Sequence, residues 1–237
     1  TSSLSGQALA IIVMGTNFFA GQTSLSLGAG ITVNSTTVNS STQLSLTISI
    51  SSAATGGPRD VTITNALPGG GSATLAAGFT VINPSPTLTS LSATSGACGK
   101  TVGLLVTGTG FVPVATSMTF GSGITVTSLT VSNPGQLFVN LSIAQDAALG
   151  FRDVTVMNAS PGGGTQTRSV AFEVVNPIPT LTSVSPTTGR NGQTLSDTLM
   201  GSDFLDGVST VSFGSGVAVN SATVNSAGTH ITASITI

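Results

Sequence analysis

Tyrosine and tryptophan are absent from the 237-residue chain, so phenylalanine supplies all ten aromatic rings. Few rings remain for bases or sugars to stack on, and five Lys/Arg against seven Asp/Glu leave no basic stripe to neutralise phosphates. Nucleic acid is therefore not expected as a partner. The single cysteine, Cys98, excludes intramolecular disulfides and any multi-cysteine metal site. Long apolar runs are missing too: ALAIIVM over 8–14 falls far short of the ~20 residues a membrane-spanning helix needs, and no membrane span is expected. The opening TSSLSG carries neither an initiator Met nor a basic-then-apolar leader, so the chain reads as processed or cut from something longer.

Charged residues make up only 5% of the chain, while Ser and Thr number 72, so solubility rests on hydroxyls, amides and exposed backbone. That balance is unusual for a cytosolic protein and favours an extracellular or cell-surface setting. At this length two or three domains are expected.

An internal repeat organises the chain. GTNFF at Gly15, GTGFV at Gly108 and GSDFL at Gly201 fall 93 residues apart, as do LGAG (27–30), FGSG (120–123) and FGSG (213–216). The same offset links GPRDVTITN (57–65) with GFRDVTVMN (150–158), and NALPGGG (65–71) with NASPGGG (158–164). One residue is added in the third copy, within the turn NSAGT, so Leu44 and Leu137 align with Ile231. Within each copy apolar and polar residues alternate, as in Leu44, Leu46, Ile48, Ile50 and Leu137, Val139, Leu141, Ile143. This period of two predicts half-buried strands, as do TVGLLVTG (101–108), ITVTSLTV (124–131), RDVTVMN (152–158) and VAFEVVN (170–176). Helical periodicity is limited to AQDAAL (144–149), one turn at most. About seven short strands in ~93 residues predict an all-β fold of tandem immunoglobulin-like β-sandwiches, and the missing Cys and Trp set them apart from antibody domains.

The segments PTLTSLSATSGACGKTVGLLVTGTGF (86–111) and PTLTSVSPTTGRNGQTLSDTLMGSDF (179–204) resemble the opening of an IPT/TIG domain. That family's pattern runs Pro, alternating strand, Ser-Pro-x-x-Gly, then Gly-x-x-Val-x-Ile-x-Gly-x-x-Phe and a strand ending Phe-Gly. The resemblance covers essentially the whole chain in three copies. It implies an Ig-like fold found in bacterial surface proteins, accessory modules of starch-acting enzymes, receptor ectodomains and some transcription factors; the fold does not fix the function.

The expected domains are 1–85, lacking a first strand; 86–178, complete; and 179–237, lacking its C-terminal strands. Copy one has no counterpart of PTLTSLSA (86–93), and copy three none of 144–178, so the chain reads as a window on a periodic array. The third copy is expected to be completed by continuation of the chain or by a neighbouring subunit through β-strand addition.

No catalytic constellation is evident. His230, the only histidine, lacks an orienting partner and an activated serine, and its place at a strand start suggests a turn. The Gly-rich loops lack the lysine and following helix of a phosphate cradle, and read as sandwich-end loops. Arg59-Asp60 and Arg152-Asp153 read as a fold-maintaining ion pair or backbone tether. Asp197, Asp203 and Asp206 are the one calcium candidate, but the other copies carry Asn17 and Gly110 at the Asp203 position and no loop has EF-hand spacing, so a solvated loop is the expectation and no metal or cofactor is implied. Cys98, in the turn SGACGK, reads as a tolerated loop residue. Asn34, Asn39, Asn140 and Asn158 begin glycosylation sequons, so glycans are a candidate modification. Phe18, Phe19, Phe111, Phe120, Phe204 and Phe213 are expected in the core.

The residues expected to matter most are the linkers Asn83, Pro84 and Pro86 and Asn176, Pro177 and Pro179. With them come the loops Pro68, Gly69, Gly70, Gly71 and Pro161, Gly162, Gly163, Gly164, expected to touch neighbouring domains. The function these features predict is a non-catalytic structural component of an extracellular fibre, stalk or adhesin shaft. Its partners would be other copies or neighbouring repeats, and low charge favours such packing. The alternative is a carbohydrate- or protein-binding accessory module of a secreted enzyme or phage tail fibre.

Overall fold

Leu137, Val139, Leu141 and Ile143 alternate with outward-facing neighbours, and all four are buried along one strand of the computed structural model, which describes residues 2–68 and 70–237. Leu44, Leu46, Ile48 and Ile50 do the same in copy one. Among the described residues there is no helix. Residues 144–149, the one stretch with helical periodicity, form a turn and coil.

The chain divides into two compact units, Thr1–Val175 and Asn176–Ile237. The first holds two sandwiches. Copy one comprises β1 (Ser2–Leu4), β2 (Ala8–Met14), β3 (Thr23–Ser26), β4 (Ile31–Ser40), β5 (Gln43–Ile50), β6 (Gly57–Asn65) and β7 (Gly71–Ile82). Its two sheets run β2-β5-β4 and β1-β7-β6-β3. Copy two comprises β8 (Thr87–Leu91), β9 (Ser95–Ala97), β10 (Thr101–Thr109), β11 (Thr116–Thr119), β12 (Ile124–Asn133), β13 (Gln136–Ile143), β14 (Gly150–Asn158) and β15 (Gly164–Val175). Its sheets are β8-β10-β13-β12 and β9-β15-β14-β11, with β9 and β15 parallel. This is the arrangement of an Ig-like sandwich. Side chains of both sheets meet in one core, where Leu104, Val106 and Leu141 face Val154, Val156 and Phe172, and Phe120 stands edge-on to Phe172 at 5.6 Å between centroids. Among the described residues of copy one no strand is equivalent to β8, and β2 pairs with β5 alone.

The second unit holds one four-stranded sheet, ordered β16 (Thr180–Ser185), β17 (Thr194–Ser202), β19 (His230–Thr236) and β18 (Ala218–Val224) across its width. It matches β8-β10-β13-β12 of copy two. Residues 209–212, in register with β11, are coil. In copy two β11 is held as a strand by β14, and among the described residues of the second unit no strand stands in that role beside 209–212. Its core is correspondingly small, with Leu199, Phe204, Ile231, Ala233 and Ile235 buried and Val211 and Phe213 packed against them.

Recurrent backbone features explain several residues that looked functional. The carboxylate of Asp153 accepts the Val170 N–H at 2.9 Å, and that of Asp60 accepts the Ala77 N–H at 2.8 Å. Val170 and Ala77 both adopt positive φ, beside the bulges that interrupt β14/β15 and β6/β7 pairing, so each aspartate pins a bend in the neighbouring strand. The arginines also bind backbone: Arg59 donates to Ala29, Pro58 and Thr55 carbonyls, and Arg152 to those of Ser122, Gly150, Phe151 and Ala148. They are backbone staples, not ion pairs.

Val114 carries a positive φ of 67°, while Gly21 and Gly207 occupy the same position in the other copies at 73° and 69°. A β-branched residue is strained there, and Val114 is 97% exposed, so its side chain contributes no burial. Val114→Gly is therefore expected to raise stability by about 1 kcal/mol, read as an increased denaturant midpoint; a fall would show that Val114 makes a favourable contact.

Cys98 requires a correction. It is 5% exposed, belongs to the copy-two core and donates its thiol hydrogen to the Ala147 carbonyl at 3.3 Å. The turn it begins folds back beneath the 144–149 loop, so it is a packed core residue and not a tolerated loop position.

Candidate functional site

The first linker is not a free tether. Asn83 is 3% exposed, and its backbone N–H donates to Pro161 O at 2.7 Å while its carbonyl accepts the Gly163 N–H at 2.6 Å. Its side-chain Nδ2 donates to Ala159 O at 2.7 Å, and the Ser85 hydroxyl donates to Gly163 O at 3.0 Å. Copy two's Gly-rich loop thus grips the linker that precedes it, through a parallel bridge between Asn83 and Gly162.

The glycines are required by this approach. A Cβ on Gly162 would stand 2.6 Å from Asn83 O and 2.9 Å from Ile82 Cβ, and Gly162 has a φ of 68°. On the copy-one side, a Cβ on Gly56 would lie 2.8 Å from the Asn83 amide. Asn83 is therefore wedged between the back of copy one and the front of copy two, with its Oδ1 buried and without a hydrogen-bond partner.

Asn158 secures the front of copy two from beneath. It is 3% exposed; its Oδ1 accepts the Thr116 hydroxyl at 2.6 Å, and its Nδ2 donates to Pro84 O at 2.8 Å and Gly110 O at 2.7 Å. Every polar atom of the side chain is used, so Asn158 is committed to the fold and is not an accessible glycosylation position, unlike exposed Asn34, Asn39 and Asn140. Thr116 Oγ1 also accepts the Val112 N–H at 2.8 Å. The motif repeats with Phe19, Thr23 and Asn65 in copy one, and its Leu205–Ser209 half recurs in the third copy. Sequence reasoning missed the Asn–Thr pair, although Asn65/Asn158 and Thr23/Thr116 stand in register.

The remaining candidates are placed as follows. In copy one, Asn65 Nδ2 donates to Asn17 O at 2.8 Å, the counterpart of the Asn158–Gly110 bond. Gly70 and Gly71 line a groove with Asn17, Phe18, Phe19 and Asn65; Gly69 lies outside the described residues, and Pro68, beside it, is exposed. Asn176, Pro177 and Pro179 line a cavity of about 480 Å³ with Asp203, Phe204 and Val208, and Asn176 is exposed. The Phe expectation fails at Phe19, which is exposed, and Phe213 is half-buried; the other four are buried.

The calcium candidate is also corrected. Among the described residues no three His, Cys, Asp or Glu side chains converge on a metal site. Asp197 is 1% exposed within the core of the second unit, beside Leu195, Phe213 and Ile235. Asp203 holds a positive φ of 61°, as Asn17 at 61° and Gly110 at 72° do at the same position, which accounts for its residue type. Asp206 is exposed in a turn. His230 begins β19, where its N–H donates to Asn225 Oδ1 at 3.0 Å.

No family model matches the chain, and no curated protein matches it. Solved structures do. The Escherichia coli adhesin FdeC aligns over 98% of this chain and 84% of its own at 18% identity, with a TM-score of 0.30. The Yersinia pseudotuberculosis adhesin InvE aligns over 84% and 64% at 16% identity and a TM-score of 0.42. The titin Ig tandem A164-A165 aligns over 73% and 91% at 13% identity and a TM-score of 0.38.

Proposed function

We propose that this chain is a non-catalytic structural segment of an extracellular fibre, stalk or adhesin shaft on a microbial surface, built from Ig-like repeats of the IPT/TIG type. The observation that carries this reading is the grip of copy two on Asn83 and its neighbours. A binding module needs only its own site to be ordered, whereas a shaft needs each domain fixed to the next. Five hydrogen bonds to the four-residue linker 83–86, over glycines that admit no side chain, supply that fixation. Prolines at 84 and 86 restrict the linker further. The partners of such a segment are other repeats of its own kind, and its low charge weakens the repulsion that would oppose their packing.

Negative-stain electron microscopy of concentrated protein at near-neutral pH and moderate salt tests the reading. Filaments with an axial period of about 40 Å, one sandwich per step, are expected. Short rods that stay single at high concentration would overturn self-assembly and favour a binding module.

A further inference from the structure

Copy two carries a cleft at its side seam, where the chain crosses from one sheet to the other between β8 and β9. Its walls include Ser90, Thr94, Phe151, Arg168, Val170 and Glu173, and its volume is about 410 Å³, within the range of small-ligand sites. The frame is fixed on both sides. Gln166 accepts the Leu88 N–H and Arg168 donates to the Thr89 carbonyl, which ties β15 to β8. The Glu173 N–H donates to Thr94 O at 2.8 Å, which ties β15 to the segment before β9. Between these ties Val170 bends β15 at a φ of 55°, and the Asp153 carboxylate holds the bend.

Copy one separates what the fold needs from what the cleft adds. Phe172 and Val174 stand in register with Phe79 and Val81, and all four are buried. Arg152 and Asp153 likewise repeat Arg59 and Asp60. The cleft residues do not repeat: Phe151, Arg168, Val170 and Glu173 replace Pro58, Leu75, Ala77 and Thr80. Copy one therefore forms the same β6/β7 pairing with no ring, guanidinium or carboxylate at these places, and the fold does not account for their presence in copy two. Glu173 is the only glutamate in a chain of which 5% is charged. It pairs across the sheet with Phe151, so ring and carboxylate project side by side from one face. Phe151 is 59% exposed, and no described residue pairs with the Glu173 carboxylate. Arg168 uses one N–H on Thr89 and keeps the rest of its fork for another acceptor.

We propose that this cleft binds an uncharged sugar residue of a glycan. Charge selects the class: an anion meets Glu173 and a cation meets Arg168, so neither sign is favoured. A sugar satisfies both groups at once, because each hydroxyl donates to a carboxylate and accepts from a guanidinium. Its C–H face packs on the Phe151 ring, and the Ser90 and Thr94 hydroxyls extend the polar rim. The site shares no residue with the Asn83 junction, so it does not rest on the assembly of repeats. A shaft carrying it would hold glycan along its flank.

The test is a printed array of neutral and acidic glycans probed with the labelled intact chain. Each glycan retained is then titrated free in solution while backbone amide shifts are recorded. Retention of neutral glycans is expected, with shifts confined to Phe151, Val170, Glu173 and the 90–94 segment. Phe151→Ala and Glu173→Gln should each weaken binding about tenfold. The urea midpoint should stay unchanged in both, because neither side chain belongs to the core. No neutral glycan retained, retention of acidic glycans alone, shifts that map elsewhere, or titrations that neither variant alters would each overturn the proposal. Filaments in the microscope without glycan binding would remove this inference and leave the shaft, whereas glycan binding without filaments would do the reverse.

Discussion

Asp197→Leu is expected to stabilise the second unit by about 2–3 kcal/mol, because it removes a buried polar group that lacks a partner. Asp197 stands in register with Ile11 and Leu104, both apolar, and pairs across the sheet with Ala233. Its Oδ1 is buried and accepts no hydrogen bond. A cavity of about 350 Å³ adjoins it, lined by Leu195, Phe213 and Val217, so a leucine enters without forcing its neighbours from their rotamers. Amide hydrogen exchange along β19 reads the change within the second unit alone, and exchange should slow there and stay constant in β13. An unchanged or faster β19 would show that Asp197 has a partner worth more than the burial it forgoes.

Asn158→Asp is expected to cost about 3 kcal/mol, against about 1–2 kcal/mol for Asn65→Asp. The two changes are the same chemistry at the same position of successive copies, so local effects on the Thr116 and Thr23 hydroxyls cancel. What differs is the linker. At Asn158 the lost amide faces two carbonyls, those of Pro84 and Gly110, whereas at Asn65 it faces that of Asn17 alone. Each carbonyl left opposite a carboxylate oxygen loses its donor and meets repulsion as well. Parallel urea titrations measure the difference, which is the contribution of the junction itself. Equal losses would mean that the Asn158–Pro84 contact adds nothing.

The 93-residue offset and the period-two alternation made the architecture legible, because both record a repeated burial pattern. Leu44 to Ile50 and Leu137 to Ile143 needed no other information. The strand β15 was legible only in its second half. Its opening GTQTRS has no apolar face, since Gln166 and Arg168 serve the β8 backbone instead of the core. Asn158 was hidden for the opposite reason: an asparagine in a sequon looks exposed, and only its coincidence with Asn65, Thr23 and Thr116 could have marked it as buried. Asp197 was grouped with a solvated loop because carboxylates normally avoid interiors, yet Ile11 and Leu104 already placed the position inside. Cys98 gave no such signal, as its counterparts Ser5 and Asn191 are polar.

The parallel pairing of β1 with β7 and of β9 with β15 bears on how the chain would carry a load. Each pair joins a strand near the start of a copy to the strand from which the chain leaves it, and each is matched at three successive positions. In copy two, tension applied between successive linkers would reach β9 only through β8, and would then pull β9 backwards and β15 forwards along a common axis. The hydrogen bonds between them would be sheared together instead of being peeled apart one at a time, so the short parallel seam would act as a latch that holds after the antiparallel β8/β10 pairing has been loaded.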